Sequence, residues 1–259
     1  MTEFGFISPE WPAPKQVVAL TTTRQSGQSL APYQHFNLAL HVGDDEQTVA
    51  HNRRQLGNNL DGLKAIGWLD QVHSSDIVDA CGESQVTADA NYSDQPGIAC
   101  AVMTADCLPL LVCDRDGREV AAIHAGWRGL LGGVIENSVA RFNVSPDQLM
   151  VWLGPAISQA HFEVGAEVRA AFMAACSTRQ QPMVSAAFIP RAHSHSQQTD
   201  KYFADLYALA RLRLQALGVT AVYGGDLCSY ADPSLFYSYR RESQTGRMVS
   251  LIYLKGTSC

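Results

Sequence analysis

The sequence predicts an α/β fold, a mixed-sheet layered sandwich. Three observations predict it. Apolar, strand-length runs crowd the centre of the chain at Ile98–Thr104, Leu108–Cys113 and Val120–His124. Helical patterns flank them without the strict alternation that a purely parallel sheet requires. The 259 residues, 46% hydrophobic and 17% charged, supply a large core, and no composition break marks a linker. One domain spanning residues 1–259 is expected.

The elements follow in order. Val17–Thr23 is β-branched and reads as a strand, followed by a polar turn at Gln25–Ser29. Asp44 or Asp45 is a cap for a helix running to about Leu60, with Glu46 in its acidic first turn. Leu69–His73 and Asp76–Ala80 read as strand pieces beside a turn. Asp114–Gly117 (DRDG) joins two of the central runs as a hairpin. Four glycines between Gly126 and Gly133 lead into a helix over about Leu131–Phe142. Met150–Leu153 is a strand stopped by Gly154-Pro155, and Val164–Ala175 a helix. Ser177–Thr199 is polar and reads as a long surface loop. Tyr202–Leu217 is a helix ended by Gly218, and Val219–Tyr223 and Met248–Leu254 are strands.

A net charge of -6 gives no general attraction to nucleic acid or to an anionic membrane, so a bound anion must meet local positive charge. The seven cysteines are odd in number and irregularly spaced, which is not a disulfide framework. No leader-like or membrane-spanning run is evident. A cytoplasmic monomer acting on a small-molecule substrate is expected.

Three segments carry chemistry: QVHSSD with His73, TADCLPL with Cys107 and AAIHAGWRG with His124. If Leu108–Cys113 pairs with Val120–His124, Cys107 and His124 fall at one open end of the sheet, where sites are usually built. A thiolate and two imidazoles suit Zn²⁺, and three protein ligands leave a fourth position open. Asp76 and Asp106 are candidates to orient a ligand imidazole or to act as general base. A metal-free Cys107–His124 dyad, thiolate and base, is the other reading of the same residues. Cys100 and Cys113 read as small buried hydrophobes, and His193-Ser-His195 as a solvated turn. Arg240, Arg241 and Arg247, with Arg128, form a basic set suited to phosphate or carboxylate, or else pair with Glu242, Asp226 or Asp232. Phe36, Trp127, Phe236, Tyr237 and Tyr239 lie in or beside these segments, as core or as faces for a planar base.

At these residues the chain resembles the YfiH-like family, also called the laccase-domain or multicopper polyphenol oxidase family. The matching stretches include FNLALHVGDD (36–45), QVHSSD (71–76), ADA (88–90), PGIACAVMTADCLPLL (96–111), AAIHAGWRGLLGG (121–133), LGPAISQAHFEVG (153–165) and DLCSYADPSLFYSYRRE (226–242). TGRMVSLIYL (245–254) completes them. The resemblance implies a sandwich related to the cysteine-hydrolase-like catalytic domain of cytotoxic necrotizing factor. It implies a metal held by His73, Cys107 and His124, usually zinc, with copper also proposed. It implies purine nucleoside chemistry: phosphorolysis of adenosine, inosine, guanosine or methylthioadenosine, and deamination of adenosine. A bacterial branch is linked to removal of misincorporated serine from a peptidoglycan precursor. On this reading Cys107, His124, His73 and Asp76 are catalytic, and Arg128, Arg240, Arg241, Arg247 and Asn37 bind substrate or phosphate. The zinc-deaminase signature H-x-E…C-x-x-C is absent from the sequence, and one His-x-His pair among eight histidines is far from a multicopper array.

Overall fold

A computed structural model describes residues 5–82, 85–191 and 201–256. Two sheets carry the architecture. Val17–Thr21, Met248–Leu254, Ile98–Thr104 and Ala65–Gly67 form a four-stranded sheet in that spatial order. A six-stranded sheet runs Ala221–Gly224, Leu149–Leu153, Leu108–Asp114, Val120–Ala125, Ala90–Ser93 and Ile77–Asp79. Both sheets mix parallel with antiparallel pairs, as expected.

Side-chain alternation explains the layers. Along Ile98–Thr104, Cys100 and Val102 meet Leu111, Cys113, Val120, Ala122, Met150 and Trp152 of the other sheet in an apolar interface crossed by buried Asn91, which donates to the Gly67 carbonyl and accepts the Ala101 N–H. Ala99, Ala101 and Met103 point the opposite way, onto Phe36, Leu38 and Leu56. Leu108, Leu110, Val112, Ala121 and Ile123 of the large sheet bury their outer face under Leu130, Val134, Leu209 and Leu214 of its helices. The order from side to side is helix and loop, sheet, sheet, helices. Cys100 and Cys113 are the buried hydrophobes the sequence indicated.

Several boundaries differ from the sequence reading, each for a local reason. The glycine-rich helix is two: Trp127–Gly132 and Val134–Ala140, parted at Gly133, whose φ of +94° no helix admits. Tyr202 and Phe203 belong to the strand Lys201–Ala204, and the helix Leu206–Leu217 begins where Asp205 accepts the Ala208 N–H at 2.9 Å. Glu163–Gly165 is likewise a strand before the helix Ala166–Ala175. The expected loop after Ser177 holds a helix, Gln181–Ala186, and a strand, Phe188–Pro190, which pairs with Lys201–Ala204. A buried face of Val184, Ala187 and Phe188 inside a polar segment is the reason. His193 and His195 lie outside the described residues. Leu69–His73 is strand only to Asp70, because Val72, His73 and Ser74 give their N–H groups to a carboxylate. Asp45 caps Glu46–Asn58, and Gly218 ends its helix with φ +91°, both as the sequence indicates. Among the described residues, no helix is long and apolar enough to cross a membrane.

The cap at Asp205 gives a stability prediction. Asp205→Ala should lower unfolding free energy by about 1 kcal/mol in urea denaturation. An unchanged midpoint would mean that the helix does not depend on this cap.

Candidate active site

The site lies at one end of the two sheets and is built by strand register. Leu108–Asp114 pairs antiparallel with Val120–Ala125, setting Pro109 opposite His124 and Leu108 opposite Ala125. Cys107 therefore stands one step beyond the pairing, beside His124. By alternation both side chains fall on the side that faces the four-stranded sheet. On the other flank Ala90 pairs with Ile123, so Asp89 adjoins His124 and accepts its backbone N–H at 2.7 Å.

Asp89 is fully buried, and its carboxylate arranges two of the three candidate ligands. One oxygen lies 2.7 Å from His124 Nδ1. The same carboxylate accepts the backbone N–H groups of Val72, His73 and Ser74 at 3.2, 3.0 and 2.5 Å. Those bonds hold His73 at φ +63°, a conformation that a non-glycine residue keeps only when its surroundings impose it. Burial disfavours the Asp89 charge, but the His124 imidazole and the Ser74 N–H outweigh it and hold the carboxyl at about 2. Asp89 remains ionised wherever the protein is folded near neutrality. Orienting the His124 imidazole, considered for Asp76 or Asp106, thus falls to Asp89, which the sequence shows only as the centre of the ADA (88–90) stretch ahead of a strand.

The donor atoms of His73, Cys107 and His124 lie within 4.8 Å of one another, with Cys107 Sγ 3.8 Å from His73 Nε2. Burial opposes ionisation of Cys107, yet the two imidazoles bring its thiol below the ordinary value. The thiolate and Asp89 in turn raise His124. Zinc with ligand atoms about 2.0–2.3 Å away would need donors roughly 3.3–3.8 Å apart. Asp89 fixes His124 through Nδ1, which leaves Nε2 for a ligand, and the thiol loses its proton readily. The three residues fit a divalent ion. Gly126 is required here: a Cβ on it would stand 2.8 Å from His73 Cδ2 and 3.0 Å from Cys107 Sγ.

The trio opens into a cavity of about 490 Å³. Its walls include Arg128, Arg240, Arg247, Asp106, Ile157, Phe162 and Tyr239. His41 and Gln71, neither singled out from the sequence, also line it. Asp106, held at φ +100°, ties the wall together: its carboxylate accepts the Ser229 hydroxyl at 2.7 Å and the Arg240 N–H at 2.6 Å. Three expected residues stand elsewhere. Asp76 is exposed and outside the cavity. Arg241 directs its guanidinium to the carbonyls of Ser229, Tyr230 and Phe236. Asn37 is buried, bridging Ala39, Asp44 and the Arg247 N–H. Phe36, Phe236 and Tyr237 are core.

The family described as multi-copper polyphenol oxidoreductase laccase matches residues 18–255. A Pseudomonas aeruginosa protein named purine nucleoside phosphorylase PA4543 is 50% identical over 97% of this chain and 99% of its own. Purine nucleoside phosphorylase YfiH of Escherichia coli is 50% identical over 96% and 98%. Among solved structures, Neisseria meningitidis protein NMB0706 is 46% identical with a TM-score of 0.89, covering 97% of this chain and 100% of that one. YlmD from Geobacillus stearothermophilus is 29% identical with a TM-score of 0.85, covering 99% and 98%.

Replacing Asp89 by Asn should weaken metal binding about 10- to 100-fold, because an amide neither fixes the His124 tautomer nor carries the charge. Asp76→Asn should leave it unchanged. Competition against a chromogenic chelator measures both, and equal affinities for the two variants would remove Asp89 from the site.

Proposed function

The chain belongs to the multi-copper polyphenol oxidoreductase laccase family, in its YfiH-like group, and we propose on that premise that it is a zinc-dependent purine nucleoside phosphorylase. One observation carries the reading: a His-Cys-His donor group and several cationic side chains share a single small-molecule cavity. Phosphorolysis uses both kinds of group. An oxygen of inorganic phosphate bonds to C1′ of the ribose while the C1′–N9 bond breaks. The electron pair leaves on the purine, which takes up a proton.

His73, Cys107 and His124 hold the zinc, and Asp89 orients two of them. When bound, zinc supplies Lewis acidity and makes water nucleophilic near neutral pH. Arg247, a cation of the lining, receives the phosphate, in a cavity whose one acid among the described residues, Asp106, is occupied by Ser229 and Arg240. Tyr239 and Phe162 offer flat faces to the base. Arg241 and Asn37, committed to backbone and loop, support the wall. Adenosine, inosine, guanosine and methylthioadenosine are the proposed substrates, with deamination of adenosine as a second reaction at the same centre. The protein acts as a cytoplasmic monomer on small molecules, with no nucleic acid and no membrane partner.

A second reading has an observation of its own. Cys107, His124 and Asp89 stand in the order nucleophile, base and orienting acid, with the Asp89–His124 contact at 2.7 Å. That arrangement serves a cysteine amidase in peptidoglycan precursor editing. Copper polyphenol oxidation has less support, since the described residues offer one three-donor group.

Purified protein should carry about one zinc per chain, lost in Cys107→Ala and His124→Ala. Nucleosides should release free base and ribose 1-phosphate only when phosphate is present, as read by product chromatography. Turnover indifferent to phosphate sinks the phosphorylase reading. Activity that survives metal removal and is abolished by one equivalent of a thiol alkylator favours the amidase.

A further inference from the structure

The cationic residues of the cavity are not equivalent. Arg128 is exposed and lies over the Trp127 ring at 4.3 Å. Arg240 is exposed, lies over Phe162 at 5.4 Å and donates to the Glu163 carbonyl at 2.9 Å. Water and an aromatic face satisfy both. Arg247 also faces a ring, Tyr239 at 5.8 Å, but it is half-buried, and its Nη1 donates to the carbonyls of Thr245 and Gly246. No ion pair to a carboxylate is formed by Arg247 among the described residues.

A second unbalanced cation stands close to the same wall. Arg53, on the helix Glu46–Asn58, stacks on Trp68 at 3.8 Å and donates from Nε to the Leu38 carbonyl at 2.8 Å. Its Nη2 is buried and has no hydrogen-bond partner. His41 is near enough to both arginines to feel their charge. Partial withdrawal from water lowers its pKa, Arg247 and Arg53 lower it further, and Asp70 opposes them. A half-buried guanidinium with no carboxylate in contact, offset only at a distance by Asp106 and Cys107, and a buried donor without an acceptor are each costly. The first cost falls when a ligand brings negative oxygens to that corner, and the Arg53 charge behind it gains a counter-charge.

We propose that His41 and Arg247, backed by Arg53, form a subsite for a tetrahedral oxyanion, and that Arg128 and Arg240 lie outside it. The occupant, inorganic phosphate, rests on the phosphorylase reading. The imidazole and the guanidinium supply N–H donors to the phosphate oxygens, and Arg53 adds charge from behind. Phosphate then takes the His41 and Arg247 part of the cavity, which leaves the Phe162 wall to the base.

Isothermal titration of inorganic phosphate into zinc-loaded protein tests this without turnover. His41→Ala and Arg247→Gln should each weaken phosphate about tenfold or more with zinc content unchanged, and Arg53→Lys severalfold. Arg240→Ala should keep phosphate affinity within about twofold. Phosphate binding unmoved by His41→Ala and Arg247→Gln overturns the subsite, as does a larger loss in Arg240→Ala. The two readings fail separately. Phosphate-dependent turnover whose phosphate KM ignores His41→Ala removes the subsite and keeps the phosphorylase. Phosphate-independent turnover with His41-dependent phosphate binding does the reverse.

Discussion

The buried Asp89 carboxylate is the interaction on which the site depends. It holds three consecutive N–H groups of the His73 loop and the ring of His124, and so joins two ligand segments that share no strand pairing. A buried charge is costly unless it is fully bonded, and here four donors bond it. The left-handed backbone at His73 exists because those bonds impose it. Cys107 comes to the same place by another route, the register of the central hairpin. Carboxylate and register together give a donor set that needs little movement to bind an ion.

Asp106 does for the cavity wall what Asp89 does for the ligands. It too is strained, and its two oxygens reach Ser229 and Arg240 in the C-terminal loops. With both acids committed, the cavity is left with cations and a thiol. This is how a chain with net charge -6 contains a cavity whose lining is locally cationic.

Much of this was legible in the sequence. The central strands Ile98–Thr104 and Met248–Leu254 have the bounds the apolar runs indicate, since both faces of each are buried. The DRDG hairpin signal brings Cys107 and His124 to one open end of the sheet, and the pairing of the two strands puts them there. Tyr202 and Phe203 were read as helical because their apolar spacing fits either element, and Asp205 decides between them by capping. The role of Asp89 was hidden because its partners are backbone N–H groups, which carry no sequence identity. Arg247 and Arg241 look alike in the RRE…GR segment, and only the fold directs one to the cavity and the other to three carbonyls.

The strand Met248–Leu254 lies between Val17–Thr21 and Ile98–Thr104. During synthesis, the first of these strands therefore waits for its neighbour until some 230 further residues have left the ribosome. The edge of Ile98–Thr104 is open until the same strand arrives, some 145 residues later, and unpaired edges invite wrong partners. The central hairpin with His124 can form much earlier. A growing chain thus owns its candidate ligand segments well before Tyr239, Arg240 and Arg247 arrive to wall the cavity beside them.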